Sequence, residues 1–250
     1  MKLNVCESYH QLSRNVSNYI VNFLSNNREA LFCFAAGESP LQVFNYLVDA
    51  SQGKLINLDY ARFIGLDEWV GMDGSDVGSC RNTLDKAFFH PLGINDSQIF
   101  FFNGKSTDLS KECDRIAHYL EEMGPLDLAL IGIGLNGHVG FNEPGSIESS
   151  GCRCVNLKES TQKNGQYYFD LNKDLTRGLT LGIKELMGAR SVILVADGSQ
   201  KAGILKDLMT KEIGPEIPVS FLRRHPNCRV IVDKEACSEI EVGSEGKRQL

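Results

Sequence analysis

Short apolar runs along the chain alternate with segments whose apolar residues recur at the spacing of a helix. Residues 7–27 place Val16, Ile20 and Leu24 on one helical face, and the apolar run 30–35 follows directly. The predicted strands lie at 30–35, 62–66, 98–102, 126–133 and 191–196, with later candidates at 217–221 and 229–232. The predicted helices cover about 7–27, 39–50 and 200–209.

These apolar runs are typical of strands that a parallel sheet buries on both faces. Strands of this kind in alternation with helices predict an α/β fold, a doubly wound, mostly parallel, Rossmann-like sheet with helices on both faces. The sequence contains no linker or repeat, so we predict a single domain over residues 1–250, with a loose polar tail after Glu239. Ligands bind such sheets beyond the carboxyl ends of the strands, where functional residues are therefore expected.

The composition argues against several classes of protein. A net charge of -6 disfavours a nucleic-acid partner, and no apolar run is long enough to span a membrane. The amino terminus lacks the apolar core of a secretory signal, and the eight cysteines include no C-x-x-C pair that would predict a metal site. We therefore expect a cytoplasmic protein with free thiols that needs neither a metal nor another cofactor.

Two predicted strand-to-helix turns have the features of a phosphate site. In the first, Gly37 allows a tight turn, Glu38 follows, and Ser39 is a good helix N-cap. In the second, Lys201 lies in the first turn of a helix, where a cation opposes the helix dipole unless an anion binds there. Helix N-termini bind phosphate groups. The alternative is that the first segment is only a well-formed turn and that Lys201 extends into solvent.

Two adjacent acids, Asp67 and Glu68, follow the predicted strand 62–66. Neighbouring side chains of an extended chain point in opposite directions, so at most one carboxylate faces a given cleft directly. An acid that is partly desolvated at a strand end has a raised pKa and can act as a general base. The alternative is an ordinary solvated acid in a loop.

A glycine-rich loop around His138 follows the predicted strand 126–133. Its glycines, Gly137 among them, let a ligand approach the backbone, and a histidine can transfer protons near neutral pH. Asn136 and Glu143 are polar groups that can orient the imidazole. The helix that a dinucleotide site requires does not follow, so we discount a nicotinamide cofactor. The alternative is a histidine that is merely hydrogen-bonded within its loop, but the four segments together suit proton transfer on a small phosphorylated molecule.

Five sequence motifs resemble those of the glucosamine-6-phosphate deaminase/isomerase family along most of the chain. In chain order they are A-G-E-S-P, L-D-E-W-V-G, N-G-H-V-G-F-N-E-P, G-S-Q-K and I-P-V-S-F-L-R-R-H-P-N. The resemblance implies an enzyme that isomerises and deaminates an amino-sugar 6-phosphate to a ketose 6-phosphate and ammonia. It implies a small sugar phosphate as the partner and leaves a homo-oligomer open.

The resemblance also implies roles for individual residues. Asp67 matches the base that moves a proton between C2 and C1, and His138 matches the histidine that assists ring opening. Glu143 matches the glutamate that supports this histidine, and Asn136 is a further predicted catalytic residue beside it. The predicted substrate- and phosphate-binding residues are Gly37, Glu38, Ser39, Gly137 and Lys201.

Three positions depart from the pattern of the family. Asn136 stands where well-studied members have an acid, so the imidazolium form of His138 lacks one stabilising charge. Tyr167 stands where a phosphate-binding arginine is expected. Arg153 matches an arginine that is linked to allosteric control, but Val155 replaces the lysine expected nearby, which argues against effector regulation.

The substrate epimer and two other functions remain as alternatives. Trp69 and the motif Gly78-Ser79-Cys80 resemble the galactosamine-6-phosphate isomerase branch, which favours galactosamine 6-phosphate over glucosamine 6-phosphate. A 6-phosphogluconolactonase-type hydrolase is the nearest alternative enzyme, and Glu143 argues against it. A non-catalytic sugar-phosphate sensor is the third alternative, and the presence of both an acid and a histidine argues against it.

Overall fold

The computed structural model describes residues 1–169 and 171–240. The strands of this part of the chain are β1 (Lys2–Cys6), β2 (Leu31–Phe34), β3 (Arg62–Gly65), β4 (Asp67–Trp69), β5 (Ile99–Phe100), β6 (Leu128–Gly132), β7 (Arg153–Asn156), β8 (Arg177–Thr180), β9 (Val192–Ala196) and β10 (Cys228–Asp233). Seven of them form a central parallel sheet in the order β1-β10-β9-β6-β2-β3-β5.

Helices cover both faces of this sheet. They are α1 (Tyr9–Asn26), α2 (Glu38–Gln52), α3 (Cys80–Leu84), α4 (Leu109–Met123), α5 (Glu159–Gly165), α6 (Ile183–Met187) and α7 (Ala202–Thr210). Two buried apolar clusters lie on opposite faces, and neighbouring residues of β2 alternate between them, with Cys33 in one and Phe32 and Phe34 in the other. The predicted doubly wound α/β fold is therefore confirmed.

A second sheet of three antiparallel strands, in the order β4-β8-β7, adjoins the end of β3. Leu66 is the single residue between β3 and β4, and its carbonyl oxygen accepts the N–H of Leu181 at 2.8 Å. Asp67 then pairs with Thr180. The small sheet thereby fixes the Asp67-Glu68 pair just beyond the central sheet, a feature that the sequence did not predict.

Most predicted elements of the central sheet are confirmed, but the strand predicted at 217–221 is wrong. This apolar stretch is instead part of a buried 3₁₀ helix, Pro218–Arg224. Pro218 has a fixed φ and no N–H to donate to a strand neighbour, so the first turn of a helix suits it better than a sheet. The edge strand β1 was not predicted, because its mixed, half-exposed residues lack the apolar signal of a buried strand.

Other sequence predictions concern the membrane, the cysteines and the tail. Within residues 1–169 and 171–240, no helix combines the length and the apolar character needed to cross a membrane. All eight cysteines are free, and six of them are buried. Apart from Ile240, the tail predicted after Glu239 lies outside the described residues.

Candidate active site

A cavity of about 220 Å³ opens beyond the carboxyl ends of the parallel strands. The segments that follow β2, β3, β6 and β9 meet there, which is the usual place for a ligand in such a sheet. The predicted site residues that line the cavity are Gly37, Glu38, Ser39, Asp67, His138 and Lys201. Asn136, Gly137 and Glu143 lie outside its lining.

Asp67 is held in the cavity wall by the pairing of β4 with β8. The side chain is buried, and burial raises the pKa of Asp67 from 3.8 to about 7, against a smaller lowering effect of the Cys80 thiol. A carboxyl group with a pKa near neutrality can both accept and return a proton at physiological pH. Asp67 therefore has the properties of a general base.

Glu68 points away from the cavity, as the alternation of an extended chain predicts. Its carboxylate accepts the backbone N–H groups of Trp69 at 2.8 Å, Cys80 at 3.0 Å and Arg81 at 2.9 Å. Burial raises the pKa of Glu68 to about 7, while these three donors lower it. Glu68 thus ties β4 to the start of α3 and is not available to a ligand in the cavity.

His138 is oriented by a short chain of hydrogen bonds. Asn136 Nδ2 donates to Glu143 Oε2 at 2.8 Å, which turns Asn136 Oδ1 towards the histidine. That oxygen accepts the backbone N–H of His138 at 3.1 Å and lies 2.7 Å from His138 Nδ1. Because an amide oxygen can only accept, Nδ1 must carry the proton of the ring, and Nε2 is left as the acceptor.

The charge state of His138 follows from its burial. Burial lowers the pKa of His138 to about 4, whereas Glu143 raises it and Lys201 lowers it further. The imidazole is therefore neutral near pH 7 and can take up a proton at Nε2. Glu143 Oε2 lies 3.8 Å from Nδ1 and would stabilise the imidazolium that forms.

Two positions of the His138 loop require glycine for different structural reasons. A side chain at Gly134 would overlap the imidazole, since a Cβ there would lie 2.2 Å from His138 Cε1. Gly137 has a φ of 83°, and a Cβ there would lie 2.8 Å from Ile217 Cγ2. Gly137 is thus required by the turn and by close packing on the 3₁₀ segment, whereas its predicted contact with substrate stays a prediction.

The two turns predicted to bind phosphate meet at one end of the cavity. Lys201 Nζ donates to the carbonyl oxygen of Ile133 at 2.7 Å, and it is the single Lys or Arg side chain in the described cavity lining. Ser39 Oγ donates to Asp197 Oδ1 at 2.5 Å. Burial lowers the pKa of Lys201, and the carboxylates of Asp197 and Glu38 raise it. One cation, one hydroxyl and the carboxylates of Asp197 and Glu38 therefore lie near this end of the cavity, and the binding of phosphate there stays a prediction.

Some residues of the cavity were not singled out from the sequence. Tyr167, the residue aligned with the expected arginine, is 87% exposed, whereas its neighbour Tyr168 lines the cavity. Asp197 lines it too, and its position directly after β9 is a signal that could have identified it. Within the described residues, no cluster of three His, Cys, Asp or Glu side chains could hold a metal ion.

Comparison with known proteins points to the same family as the sequence motifs. The model of the family glucosamine-6-phosphate isomerases/6-phosphogluconolactonase matches residues 6–231. The chain is 30% identical over 245 residues to glucosamine-6-phosphate deaminase of Halalkalibacterium halodurans, covering 98% of this chain and 100% of that protein. It is 32% identical over 225 residues to the putative deaminase AgaI of Escherichia coli K12, covering 90% of this chain and 89% of that protein.

Two solved structures extend the comparison to the fold. A monomeric glucosamine-6-phosphate deaminase matches with a TM-score of 0.92 at 29% identity, covering 96% of this chain and all of that one. A 6-phosphogluconolactonase from Trypanosoma brucei matches with a TM-score of 0.74 at 22% identity over 96% and 98% of the two chains, and it shares the fold alone. By the family match over residues 6–231, this chain belongs to the family of glucosamine-6-phosphate isomerases and 6-phosphogluconolactonases.

Proposed function

We propose that this enzyme converts an amino-sugar 6-phosphate and water into a ketose 6-phosphate and ammonia. The observation that carries the proposal is one cavity that holds a buried carboxyl with a pKa of about 7, Asp67, and a neutral imidazole, His138. Lys201 and Ser39 stand at the end where the phosphate would lie. Aldose–ketose isomerisation needs a base, a proton shuttle and an anchor for the phosphate.

Ring opening comes first, because a pyranose has no free carbonyl to acidify the C2 hydrogen. The C1 hydroxyl must lose a proton, and the ring oxygen must gain one. His138 is neutral with Nε2 unprotonated, so it can accept the hydroxyl proton and return it to the ring oxygen. Glu143 acts through the histidine as a positioning residue, and so does Asn136.

Proton transfer and loss of ammonia follow on the open chain. The Asp67 carboxylate removes the C2 proton, giving an enolamine, and then delivers a proton to C1. The electron pair of the broken C–H bond forms the C1=C2 double bond of the enolamine, and the aldehyde oxygen gains the proton that the amino group gives up. When C1 is protonated, that pair forms the new C1–H bond, and the nitrogen lone pair makes C2 an imine. Water adds to this imine, and ammonia leaves, which produces the C2 ketone of the ketose 6-phosphate.

Galactosamine 6-phosphate is the finer proposal for the substrate. Support comes from Trp69, which lines the cavity and packs on Phe141 with 4.5 Å between ring centroids, and from the Gly78-Ser79-Cys80 motif beside it. The relatives named as glucosamine-6-phosphate deaminases support the glucosamine epimer as the alternative. A cytoplasmic location and a homo-oligomer stay predictions from the sequence.

The experiment measures ammonia and ketose phosphate released from galactosamine 6-phosphate and glucosamine 6-phosphate, with 6-phosphogluconolactone hydrolysis as a parallel assay. We expect equal amounts of ammonia and ketose phosphate, and a higher kcat/KM on the galactosamine epimer. A higher kcat/KM on glucosamine 6-phosphate would reverse the choice of epimer. Lactone hydrolysis without any ammonia release would establish the lactonase alternative, and binding without turnover would establish the sensor.

A further inference from the structure

Asp197 is a residue of the cavity wall to which the proposed reaction gives no task. It directly follows β9, and it lines the cavity together with Ser39 and Lys201. The backbone of this turn is fixed by β10, because the N–H of Gly198 donates to both carboxylate oxygens of Asp233, at 3.1 Å and 3.2 Å. Gly198 has a φ of 78°, a value that favours glycine. Asp197 is therefore held at the end of the cavity where the phosphate of the substrate is proposed to lie.

The two carboxylate oxygens of Asp197 have different surroundings. Oδ1 accepts the hydroxyl of Ser39 at 2.5 Å. Among the described residues no group donates to Oδ2, and the protein does not enclose this atom, so it is accessible to a molecule in the cavity. A carboxylate oxygen can only accept a hydrogen bond. A ligand group that meets Oδ2 must therefore bring a proton of its own.

The Ser39 hydroxyl cannot supply that proton. Its single proton is already donated to Asp197 Oδ1, so a phosphate oxygen beside it would meet lone pairs on both groups. Lys201 is the single Lys or Arg side chain in the described cavity lining, whereas two carboxylates, those of Asp197 and Glu38, belong to the same lining. Like charges at a short distance disfavour each other's ionised forms. The wall at this end therefore suits a phosphate with one negative charge and one hydroxyl better than a dianion.

We propose that Asp197 selects the phosphate group of the substrate in its singly protonated form, with the phosphate hydroxyl donating to Asp197 Oδ2 and Lys201 binding an unprotonated phosphate oxygen. Asp197 is then a specificity-determining residue, because a sulfate ester has the same shape but no proton to donate. No bond to phosphorus forms or breaks, and the complex holds one proton more than the free protein and the free dianionic ester together. The inference rests on the proposed function, because it takes the phosphate to lie at this end of the cavity.

Other groups near Asp197 also influence the binding of an anion. In the described part of the chain they are Tyr9 of α1, Glu38 of α2, Lys201 of the 3₁₀ turn Ser199–Lys201, and Asp233 of β10. Burial raises the pKa of Tyr9, so its hydroxyl stays neutral up to pH 8. Burial lowers the pKa of Lys201, and Asp67, with a pKa of about 7, gains its charge in the same range of pH. Both changes weaken the binding of a sulfate ester as well, so a sulfate ester separates their effects from that of the phosphate proton.

The test uses 1,5-anhydroglucitol 6-phosphate, whose sugar ring cannot open, and the corresponding 6-sulfate, which has no proton to donate. The second pKa of a phosphate ester is about 6, so its singly protonated form falls from about half at pH 6 to about one per cent at pH 8. The Kd of wild type for the phosphate ester should therefore rise about 10- to 50-fold over this range, and the Kd for the sulfate ester less than about threefold. Calorimetry in two buffers of different ionisation enthalpy should show uptake of about one proton per phosphate ester bound at pH 7.5.

Asp197→Asn keeps an oxygen that accepts from Ser39 and replaces Oδ2 by an NH₂ group, which donates to a phosphate dianion. This variant should lose the proton uptake, and its Kd for the phosphate ester should change less than about threefold between pH 6 and pH 8. Asp207→Asn is the matched control, because Asp207 is an acid of α7 outside the cavity lining that pairs with Lys211 at 2.7 Å. It changes the net charge equally and should bind both esters as wild type does.

Four results would overturn the role of Asp197. Wild type could fail to bind the phosphate ester at pH 6, or bind it with the same Kd at pH 6 and pH 8. The Kd for the sulfate ester could rise as much as that for the phosphate ester, or the rise in Asp197→Asn could equal that in wild type. The first three results need no variant, so they decide even if Asp197→Asn does not fold. An absence of ammonia release from both amino-sugar phosphates would refute the proposed function, whereas binding of the phosphate ester without proton uptake refutes the role of Asp197 alone.

Discussion

Replacing Asp67 by asparagine should make the protein more stable while removing most of its activity. The carboxylate faces the cavity with no cation beside it among the described residues, and burial raises its pKa from 3.8 to about 7. Asparagine has nearly the same shape and carries no charge that must be desolvated. Without the carboxylate the base is lost, which typically costs a factor of about 10² to 10⁴ in turnover.

The size of the stabilisation follows from the pKa. A rise from 3.8 to about 7 corresponds to an upper limit of roughly 4 kcal/mol by which ionisation of Asp67 opposes folding. Because the carboxyl pKa is raised in the folded state, that state binds the proton more tightly than the unfolded chain does. Wild type therefore loses stability as pH rises from 3.8 through 7. The advantage of Asp67→Asn should therefore grow by about 1–3 kcal/mol between pH 5 and pH 8.5.

The measurement is urea unfolding of wild type and Asp67→Asn at these two pH values. Glu112→Gln is the matched control, because Glu112 is a buried carboxylate with partners, the N–H of Asn103 at 2.7 Å and Arg115 Nε at 2.9 Å. Its replacement should lower the free energy of unfolding by about 1.5–3 kcal/mol. Two results would refute the claim that ionisation of Asp67 opposes folding. One is an Asp67→Asn variant that is no more stable than wild type at pH 8.5, and the other is an equal increase in its free energy of unfolding over wild type at both pH values.

Three further substitutions test the other parts of the site. Lys201→Ala should weaken binding of the amino-sugar phosphate by about 1.5–3 kcal/mol but spare the non-phosphorylated amino sugar, and equal KM increases on both would place the phosphate elsewhere. His138→Gln should slow turnover of the closed-ring substrate, yet solvent deuterium should still enter C2 of an open-chain analogue. If the rate of this exchange fell as far as the rate of turnover, His138 would be assigned to the proton transfer. Asn136→Asp should raise the pKa of His138, because a second carboxylate beside Nδ1 stabilises the imidazolium; an NMR titration of the ring with an unchanged pKa would contradict the hydrogen-bond chain.

Part of the site could be predicted because it depends on local rules. Alternation along an extended chain was enough to show that Asp67 and Glu68 point in opposite directions. The sequence could not show that Glu68 caps α3, because its three N–H donors include residues 80 and 81, which are distant along the chain. Long-range contacts of this kind decide which acid of a pair is free to react.

The tautomer of His138 could not be predicted from the sequence either. The residues Asn136 and Glu143 were predicted to orient the ring, but the proton position depends on which way the amide of Asn136 is turned. Likewise, the sequence alignment pointed to Tyr167, whereas the 3₁₀ segment Gln166–Tyr168 turns Tyr168 towards the cavity. A shift of one residue in a helical segment rotates a side chain by about 100° or more, which an alignment does not resolve.

The most direct test of the proposed reaction follows the hydrogen at C2 of the amino-sugar 6-phosphate. A substrate that carries deuterium at C2 is converted by wild type and by Asp67→Asn, and NMR follows the deuterium while ammonia is measured in parallel. We predict that wild type releases one ammonia for each C2–deuterium bond broken, with the deuterium appearing at C1 of the ketose phosphate or in water. Asp67→Asn should break this bond at least about 10²-fold more slowly. Ammonia release with the C2–deuterium bond intact, or cleavage of that bond by Asp67→Asn at the wild-type rate, would contradict proton transfer by Asp67.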